Sequence, residues 1–422
     1  GVREDQTVVF DGDEILYVGP AAQAPASAQT IDGSGKYLIP GLWDMHVHLT
    51  YDDRITPVMA DAFLQYGVTS VRDTGGLLDK LLPVLYEFRT ADQAPRVYFS
   101  GPLLDGNFVV YDGGAVPEIG MRNTRPEDAA RVVAELKAAG ASFIKIYEMI
   151  SPEVFEAFVD AAQAEGLPIA SHVPLALTAS QVGDSVDSME HLRNLELDCA
   201  SNWETLLAER QQMLKNEDGL TGIALRSSIH SQQRVPAIQN STRSAVLRPV
   251  TLQDVVQVPT LGLNTITLNP AFARADWDEA LSDMPESVQE EWRDPPSWMS
   301  GNENESGPDL TFPNYSMGMI GRLKEAGVPI GAGTDTPIGR AIPGYSLHHE
   351  LEVLVEAGLT PLEAIGAATV QPANFFSILD ETGSIDVGKN ADMVLLSADP
   401  LQDISNVRNI DRVVLRGVSV PR

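Results

Sequence analysis

The sequence predicts an α/β protein: a (β/α)₈ barrel joined to a small sheet domain that is assembled from both ends of the chain. Three observations support this prediction. The 422 residues are enough for a large barrel with an appendage. Strand-like apolar runs alternate with helical stretches through the middle of the chain, in about eight units, the number that closes a barrel. Both ends of the chain are rich in strand-like sequence.

The two ends are typical of antiparallel sheet. Residues 7–19 alternate around an Asp11-Gly12-Asp13 turn, which predicts a hairpin. Further strand-like runs occur at residues 37–39, 391–396 and 413–417. We therefore assign residues 1–39 plus 383–422 to one domain and residues 40–382 to the barrel. Two unrelated edge hairpins are the alternative.

The middle of the chain alternates between strand and helix. Helices are predicted over residues 77–88, 126–139 and 152–165, and the last two begin near a proline and end at Gly140 and Gly166. Strands are predicted over residues 68–72, 96–100, 143–147, 167–172, 186–191, 256–261 and 328–335. Residues 265–310 are predicted to form a long irregular loop that caps the pocket with Trp277, Trp292 and Trp298.

The composition excludes several classes of function. The net charge of −30, from 59 acidic and 29 basic residues, repels phosphate, so nucleic acids and anionic membrane surfaces are poor partners. The single cysteine, Cys199, excludes an internal disulfide and a cysteine-based zinc site. No apolar run approaches the roughly 18 residues of a membrane span.

The chain begins at Gly1 rather than at methionine. Removal of a signal peptide is one explanation, which favours a periplasmic or secreted protein over a cytoplasmic one, and the compartment stays open. We also expect a homo-oligomer that acts on a small-molecule substrate.

The strongest chemical signal is His46-Val47-His48, in a short apolar run that follows Pro40. In a strand, side chains two residues apart point to the same face, so the two imidazoles project together. Two adjacent imidazoles form half of a metal site. The alternative is a pair of histidines in the core or on a wet surface.

Four further residues capable of binding metal fall at the ends of predicted strands. They are Lys145, His172, His191 and Asp335. Because the carboxyl ends of barrel strands meet at one face, we expect these side chains to converge with the His-x-His pair. The remaining histidines lie in helical or loop context and are predicted to be surface or packing residues: His230, His348 and His349.

These motifs resemble the amidohydrolase superfamily of metal-dependent hydrolases, in its imidazolonepropionase-like and prolidase-like branch. The resemblance covers nearly the whole chain. It is carried by the opening Pro40-Gly41-Leu42-Trp43-Asp44-Met45-His46-Val47-His48, by Lys145, His172, His191 and Gly333-Thr334-Asp335, and by the closing run from Gly383 to Leu396. It implies that the domain built from both termini is a β-sandwich.

The resemblance also implies a binuclear metal centre with two divalent ions, for which we expect Zn²⁺. His46 and His48 would bind one ion together with Asp335, His172 and His191 would bind the second, and Lys145 would bridge the two as a carbamate. An ammonium group cannot lie beside two dications, so a lysine ligand must lose its charge. The alternative for Lys145 is an ordinary strand-end lysine paired with Glu148 or Asp73.

The implied reaction is hydrolysis of an amide bond in a peptide-like or N-acyl amino acid substrate. A hydroxide that bridges the metals would attack the carbonyl, with Asp335 as general base and then general acid. Tyr147 lies two residues after Lys145 on the same face. It would donate a hydrogen bond to the developing oxyanion, or it is a packed aromatic residue.

Arg193 is a candidate to bind a substrate carboxylate through two hydrogen bonds. The alternative is a surface residue paired with Glu190 or Glu196. A cyclic amide, lactone or ester hydrolase on the same metals is the alternative function. A non-catalytic scaffold of the same fold is disfavoured, because such proteins usually lose ligands and all six are present here.

Overall fold

The computed structural model describes residues 2–242, 252–294 and 309–421. Within them, strands β1 to β15 follow in chain order: Thr7–Asp11, Glu14–Gly19, Tyr37–Pro40, Leu42–Val47, Val68–Asp73, Arg96–Phe99, Leu103–Asp105, Gly120–Arg122, Ile144–Ile146, Ile169–Ser171, Ser188–Glu190, Val256–Val258, Met393–Leu396, Ile410–Leu415 and Val418–Ser419.

Helices α1 to α15 follow in the same way: Met59–Gln65, Leu78–Thr90, Ala129–Ala138, Pro152–Glu165, Ala179–Val182, Leu195–Cys199, Trp203–Met213, Gly222–Gln239, Leu261–Asn264, Trp277–Ser282, Glu286–Trp292, Thr311–Glu325, Tyr345–Glu356, Pro361–Ala367 and Val370–Phe375. In the part of the chain that the structure describes, no helix combines the length and the apolar composition that a bilayer crossing requires.

Parallel strands form the barrel. Strands β4, β5 and β6 pair in parallel, and so do β7, β9, β10, β11 and β12. Strands β6 and β7 are two pieces of the third barrel strand. Residues 330–336 take the eighth position, because Ile330 bridges to Gln257 and Thr336 bridges to Val47, both in parallel. The observed order agrees with the predicted (β/α)₈ barrel.

The carboxylate of Asp44 ties the first barrel strand to the eighth. It accepts hydrogen bonds from the backbone N–H of Thr334 at 3.0 Å and from its hydroxyl at 2.6 Å. The N–H of Asp335 donates to the carbonyl of His46 at 2.8 Å. These contacts fix the register between the strand that carries the His-x-His pair and the strand that carries Asp335.

Helix α4 begins and ends where the sequence predicts. The hydroxyl of Ser151 accepts a hydrogen bond from the N–H of Val154, Pro152 occupies the first turn, and Gly166 ends the helix at φ +66°. A left-handed residue after the last turn is the usual reason for glycine at that position. The buried side of the helix, with Phe155 and Phe158, joins the main core.

The two ends of the chain form antiparallel sheets. Strands β1 and β2 make the predicted hairpin, and β3 joins a four-stranded sheet in the order β15, β14, β13, β3. An apolar cluster that includes Ile15, Met393 and Val414 lies between these elements. The description of this region as a β-sandwich domain, with bounds at residues 39 and 383, stays a prediction.

The prediction of an irregular loop over residues 265–310 is wrong for much of its described part, which contains helices α10 and α11. Trp277 and Trp292 are only 2% and 5% exposed and belong to the main core. Burying a large indole stabilises the fold more than lining a wet cleft does. These two residues therefore do not cap the pocket as predicted, and Trp298 lies outside the described residues.

Candidate metal centre

The structure brings the candidate residues into one pocket at the carboxyl ends of the barrel strands, with an empty volume of about 240 Å³. The candidates that line it are His46, His48, Lys145, Tyr147, His172, His191, Arg193 and Asp335. Leu103, Tyr111 and Ile338 complete the lining. The expected convergence is therefore observed, whereas the individual roles of these residues stay predictions.

Asp335 lies between the two histidines of the first strand. Its Oδ1 is 3.2 Å from Nε2 of His46 and 3.1 Å from Nε2 of His48. Donor atoms of His46, His191 and Asp335 all lie within 4.8 Å of one another, which suits a single ion. Although burial opposes ionisation, the neighbouring His191 and His46 hold the pKa of Asp335 well below its usual range.

Each of the four histidines is held through its Nδ1 atom. The partners are Oε2 of Glu190 for His46 at 2.6 Å, the Gly75 carbonyl for His48 at 3.1 Å, Oε1 of Glu148 for His172 at 2.8 Å, and Oγ1 of Thr260 for His191 at 2.6 Å. Carboxylate and carbonyl oxygens only accept, so Nδ1–H donates in His46, His48 and His172, and each of these rings presents Nε2 to the pocket. The Thr260 hydroxyl can accept from Nδ1–H of His191 in the same way. Histidines that bind metal ions are oriented in this way.

Lys145 is completely buried, and its Nζ has no hydrogen-bond partner among the described residues. The carboxylate within ion-pair distance is that of Glu190, at 3.7 Å. The predicted alternative partners are wrong, because Glu148 contacts His172 and Asp73 accepts backbone N–H groups. Burial lowers the pKa of Lys145 to about 8, so the neutral amine is accessible near neutral pH.

Beneath the pocket, Arg72 and Glu190 form a fully buried ion pair. Nη2 of Arg72 lies 2.7 Å from Oε1 of Glu190, and its Nε donates to the carbonyl of Met45 at 2.6 Å. Although burial opposes ionisation, Arg72 holds the pKa of Glu190 well below its usual range. Sequence reasoning missed the role of Glu190, although this residue directly precedes His191.

The two candidate substrate contacts differ in their surroundings. Tyr147 is buried, with its ring centroid 4.3 Å from that of His172, and burial raises its pKa well above the usual range, so the phenol keeps its proton. Arg193 is half-buried and makes no ion pair with another described residue. Its predicted alternative partners are engaged elsewhere: Glu190 with Arg72, and Glu196 with Arg234 at 3.8 Å.

Sequence reasoning also missed a cluster around Glu148. Nη2 of Arg226 lies 3.0 Å from Oε1 of this carboxylate, and Nε2 of His230 lies 3.0 Å from its Oε2. His230 was predicted to be a surface or packing residue, yet it contacts a carboxylate that orients His172. The spacing of Arg226 and His230 predicts only that they share a helix face, and it does not indicate the contact with Glu148. His348 and His349 are buried in α13, as packing residues.

Comparison with known proteins agrees with this picture. Residues 316–420 match the family model described as "Amidohydrolase family". Ochratoxinase of Aspergillus niger is 25% identical over 458 residues, which cover 96% of this chain and 78% of ochratoxinase. Imidazolonepropionase of Streptomyces griseus is 39% identical over 51 residues, which are 12% of this chain and 13% of that protein.

A solved structure extends the likeness to the whole fold. The crystal structure of a Xaa-Pro dipeptidase with bound methionine in the active site has a TM-score of 0.65 and 20% identity, with 98% of this chain and 94% of that chain covered. The family match, the alignment with ochratoxinase and the shared barrel agree with the resemblance that the motifs indicate. The chain is therefore similar to proteins of the amidohydrolase superfamily over almost its whole length, and its residues 316–420 match the family model.

Proposed function

We propose that the protein is a binuclear metal-dependent hydrolase that cleaves an amide bond in a peptide-like or N-acyl amino acid substrate. The observation that carries this proposal is the pocket itself, where four histidines, a lysine and an aspartate converge. All four imidazoles are fixed through Nδ1, which leaves Nε2 available as a ligand.

The residues fit two zinc ions. Imidazole nitrogens and a carboxylate are ligands that Zn²⁺ prefers. His46, His48 and Asp335 would hold one ion, and His172 and His191 the other. Lys145 is the orphaned buried polar group of the site. Its neutral amine would add to carbon dioxide and release one proton to solvent, and the resulting carbamate would supply two anionic oxygen ligands to ions held in the pocket.

The chemistry divides between the ions and the protein. Ions held in this pocket would polarise the scissile carbonyl and lower the pKa of water to about 7. Asp335 would take the proton of the attacking water and deliver it to the leaving nitrogen. The phenol of Tyr147, which keeps its proton, would donate a hydrogen bond to the developing oxyanion.

Arg193 supports a substrate with a carboxylate. Its guanidinium lines the pocket without an ion pair to another described residue, and such a group binds a carboxylate through two parallel hydrogen bonds. Leu103 and Ile338 offer apolar contact to the rest of the molecule. Substrates that carry an amide bond and a free carboxylate, as dipeptides and N-acyl amino acids do, meet both requirements.

A second candidate is hydrolysis of a cyclic amide, lactone or ester by the same residues. The 51-residue match to imidazolonepropionase, whose name denotes a cyclic amide substrate, favours it. Turnover of cyclic substrates in preference to linear N-acyl amino acids would decide for this candidate.

The first test is the metal content of protein purified without chelator and with bicarbonate, measured by mass spectrometry. We expect about two equivalents of zinc per chain, falling in Lys145→Ala. Lys137→Ala is the matched control, because this lysine forms an exposed ion pair with Glu165. About one equivalent that does not depend on Lys145 would contradict the binuclear centre. If two equivalents are found, the next experiment compares dipeptides, N-acyl amino acids and lactones as substrates.

A further inference from the structure

A helix outside the barrel reaches the metal centre. Helix α8, Gly222–Gln239, lies in the segment between strands β11 and β12 and carries Arg226 and His230 four residues apart, on one face. The helix contains no acidic residue, in a chain with a net charge of −30. Its basic groups are therefore not balanced within the helix and need carboxylates from other elements.

The face with Arg226 and His230 meets Glu148, which is completely buried. Arg226 lies 3.0 Å from Oε1 of Glu148, and His230 lies 3.0 Å from Oε2. The same Oε1 accepts the hydrogen bond from Nδ1 of His172 at 2.8 Å. Arg226 thus donates a hydrogen bond to Oε1 from the helix side, and His230 approaches Oε2 without forming a hydrogen bond. Oε1 also orients the imidazole on the pocket side.

Two contacts hold the helix, one at its start and one further along. At its start, a Cβ added to Gly222 would lie 2.0 Å from the carbonyl oxygen of Val109, so the backbones approach too closely for any side chain there. Further along, Gln233 accepts a hydrogen bond from Arg210 at 2.8 Å, and Arg210 also donates to Asn194 at 3.1 Å. These contacts place the helix so that Arg226 and His230 reach Glu148.

A carboxylate that accepts a hydrogen bond from Arg226 and packs against His230 is restrained from rotating away from the imidazole that it orients. The Nδ1–H of His172 then stays engaged, and the lone pair of Nε2 stays directed to the pocket. If Glu148 lost its contacts with the helix, its carboxylate could adopt other rotamers, and His172 would lose this constraint.

We propose that Arg226 and His230 are positioning residues that act on His172 through Glu148. The inference rests on the proposed function, which assigns His172 to the second metal ion. It makes helix α8 a part of the metal centre, although the helix contributes no ligand.

The test measures zinc affinity by competition with a chromophoric chelator. Removal of partners that orient a ligand typically costs about 10–100-fold in metal affinity. We expect a loss of about that size for one of the two ions, the one assigned to His172, in Arg226→Met and in His230→Leu. His230→Gln keeps an N–H donor and should recover part of the affinity. Arg226→Lys keeps the charge and should do the same.

Arg234→Met is the matched control. Arg234 lies on the same helix and is largely buried, but its ion-pair partner is Glu196, at 3.8 Å. We expect parental zinc affinity in this variant, even if its melting temperature falls. Parental zinc affinity in both Arg226→Met and His230→Leu, with about two ions still bound as in the parent, would overturn the inference and leave the proposed function intact.

A second measurement separates the two proposals. In zinc-free protein with ¹⁵N-labelled histidine, NMR reports whether His172 carries its proton on Nδ1. We expect Nδ1–H in the parent and a mixture of tautomers in His230→Leu and Arg226→Met. If the parent binds no zinc, the proposed function fails, and this measurement still decides whether the helix positions His172. An unchanged tautomer in both variants would overturn that role.

Discussion

Nζ of Lys145 and Oε1 of Glu190 lie 3.7 Å apart, and both side chains are completely shielded from solvent. Glu190 also contacts the guanidinium of Arg72 and Nδ1 of His46. The buried carboxylate of Glu190 therefore contacts residues of both the barrel interior and the pocket. Its loss should lower the stability of the fold and weaken metal binding.

Replacement of Glu190 by glutamine leaves the charge of Arg72 without a counter-ion in the barrel interior. Breaking a buried pair in this way costs about 3–5 kcal/mol. We expect the free energy of unfolding in urea to fall by about that amount. Glu135→Gln is the control, because the pair of Glu135 with Arg131 is exposed and pairs of that kind contribute at most about 1 kcal/mol. Equal losses in the two variants would contradict the prediction.

Tyr147→Phe should lower kcat about 10²–10³-fold with little change in KM, because a single oxyanion donor typically accounts for that factor. Tyr111→Phe is the matched control. Tyr111 also lines the pocket, and its ring centroid lies 5.8 Å from that of Tyr147. If both variants behave alike, Tyr147 is a packed aromatic residue rather than a donor.

Arg193→Leu should raise KM for an N-acyl amino acid about 10–100-fold, since hydrogen bonds to charged groups contribute about 1.5–3 kcal/mol. The same variant should change KM much less for the substrate whose carboxylate is amidated. Arg193→Lys should be intermediate, because lysine cannot form the bidentate contact. A KM that rises equally for both substrates would show that Arg193 supports the pocket without binding the carboxylate.

Glu363, which does not line the pocket, provides a prediction of how the stability of the fold depends on pH. The hydrogen bond from Lys324, at 2.6 Å, and those from the backbone N–H and the hydroxyl of Thr360 lower the pKa of Glu363 to about 2. Its ionised form is thus favoured in the folded state. The associated stability is present above the ordinary value of 4.5 and is lost as the pH falls toward 2.

We therefore expect Glu363→Gln to be less stable than the parent by about 0.5–1 kcal/mol at pH 7, because solvent screens this partly exposed pair. The deficit should shrink when the free energy of unfolding in urea is measured at about pH 3.5. An equal deficit at both pH values would mean that the charge of Glu363 does not contribute.

The sequence was sufficient for features that depend on local spacing. His46 and His48 lie two residues apart on a strand, and Tyr147 lies two residues after Lys145 on another, so strand geometry alone predicts that each pair shares a face. Helix α4 was predictable at both ends because Pro152 and Gly166 act through their own backbone angles. The barrel was predictable because the chain contains about eight strand–helix units, the number that closes a barrel.

Features that depend on contacts between distant segments were not predictable. Arg226 and Glu148 are 78 residues apart in the chain, and no local pattern shows that they meet. For the same reason the partner of Lys145 was predicted as Glu148 or Asp73, although Glu190 lies nearest. Trp277 and Trp292 were misplaced because tryptophan suits both a core and a binding cleft, and only the tertiary fold decides between them.

The contact between helix α8 and Glu148 has a consequence for protein engineering. Exchange of segments between related barrels usually treats a helix outside the strands as a replaceable module. Here, a graft that replaces residues 222–239 without a partner matched to Glu148 would leave a buried carboxylate beside His172 with neither Arg226 nor His230. Helix α8 and the segment that follows strand β9, which carries Glu148, therefore form one unit of exchange and should be transplanted together.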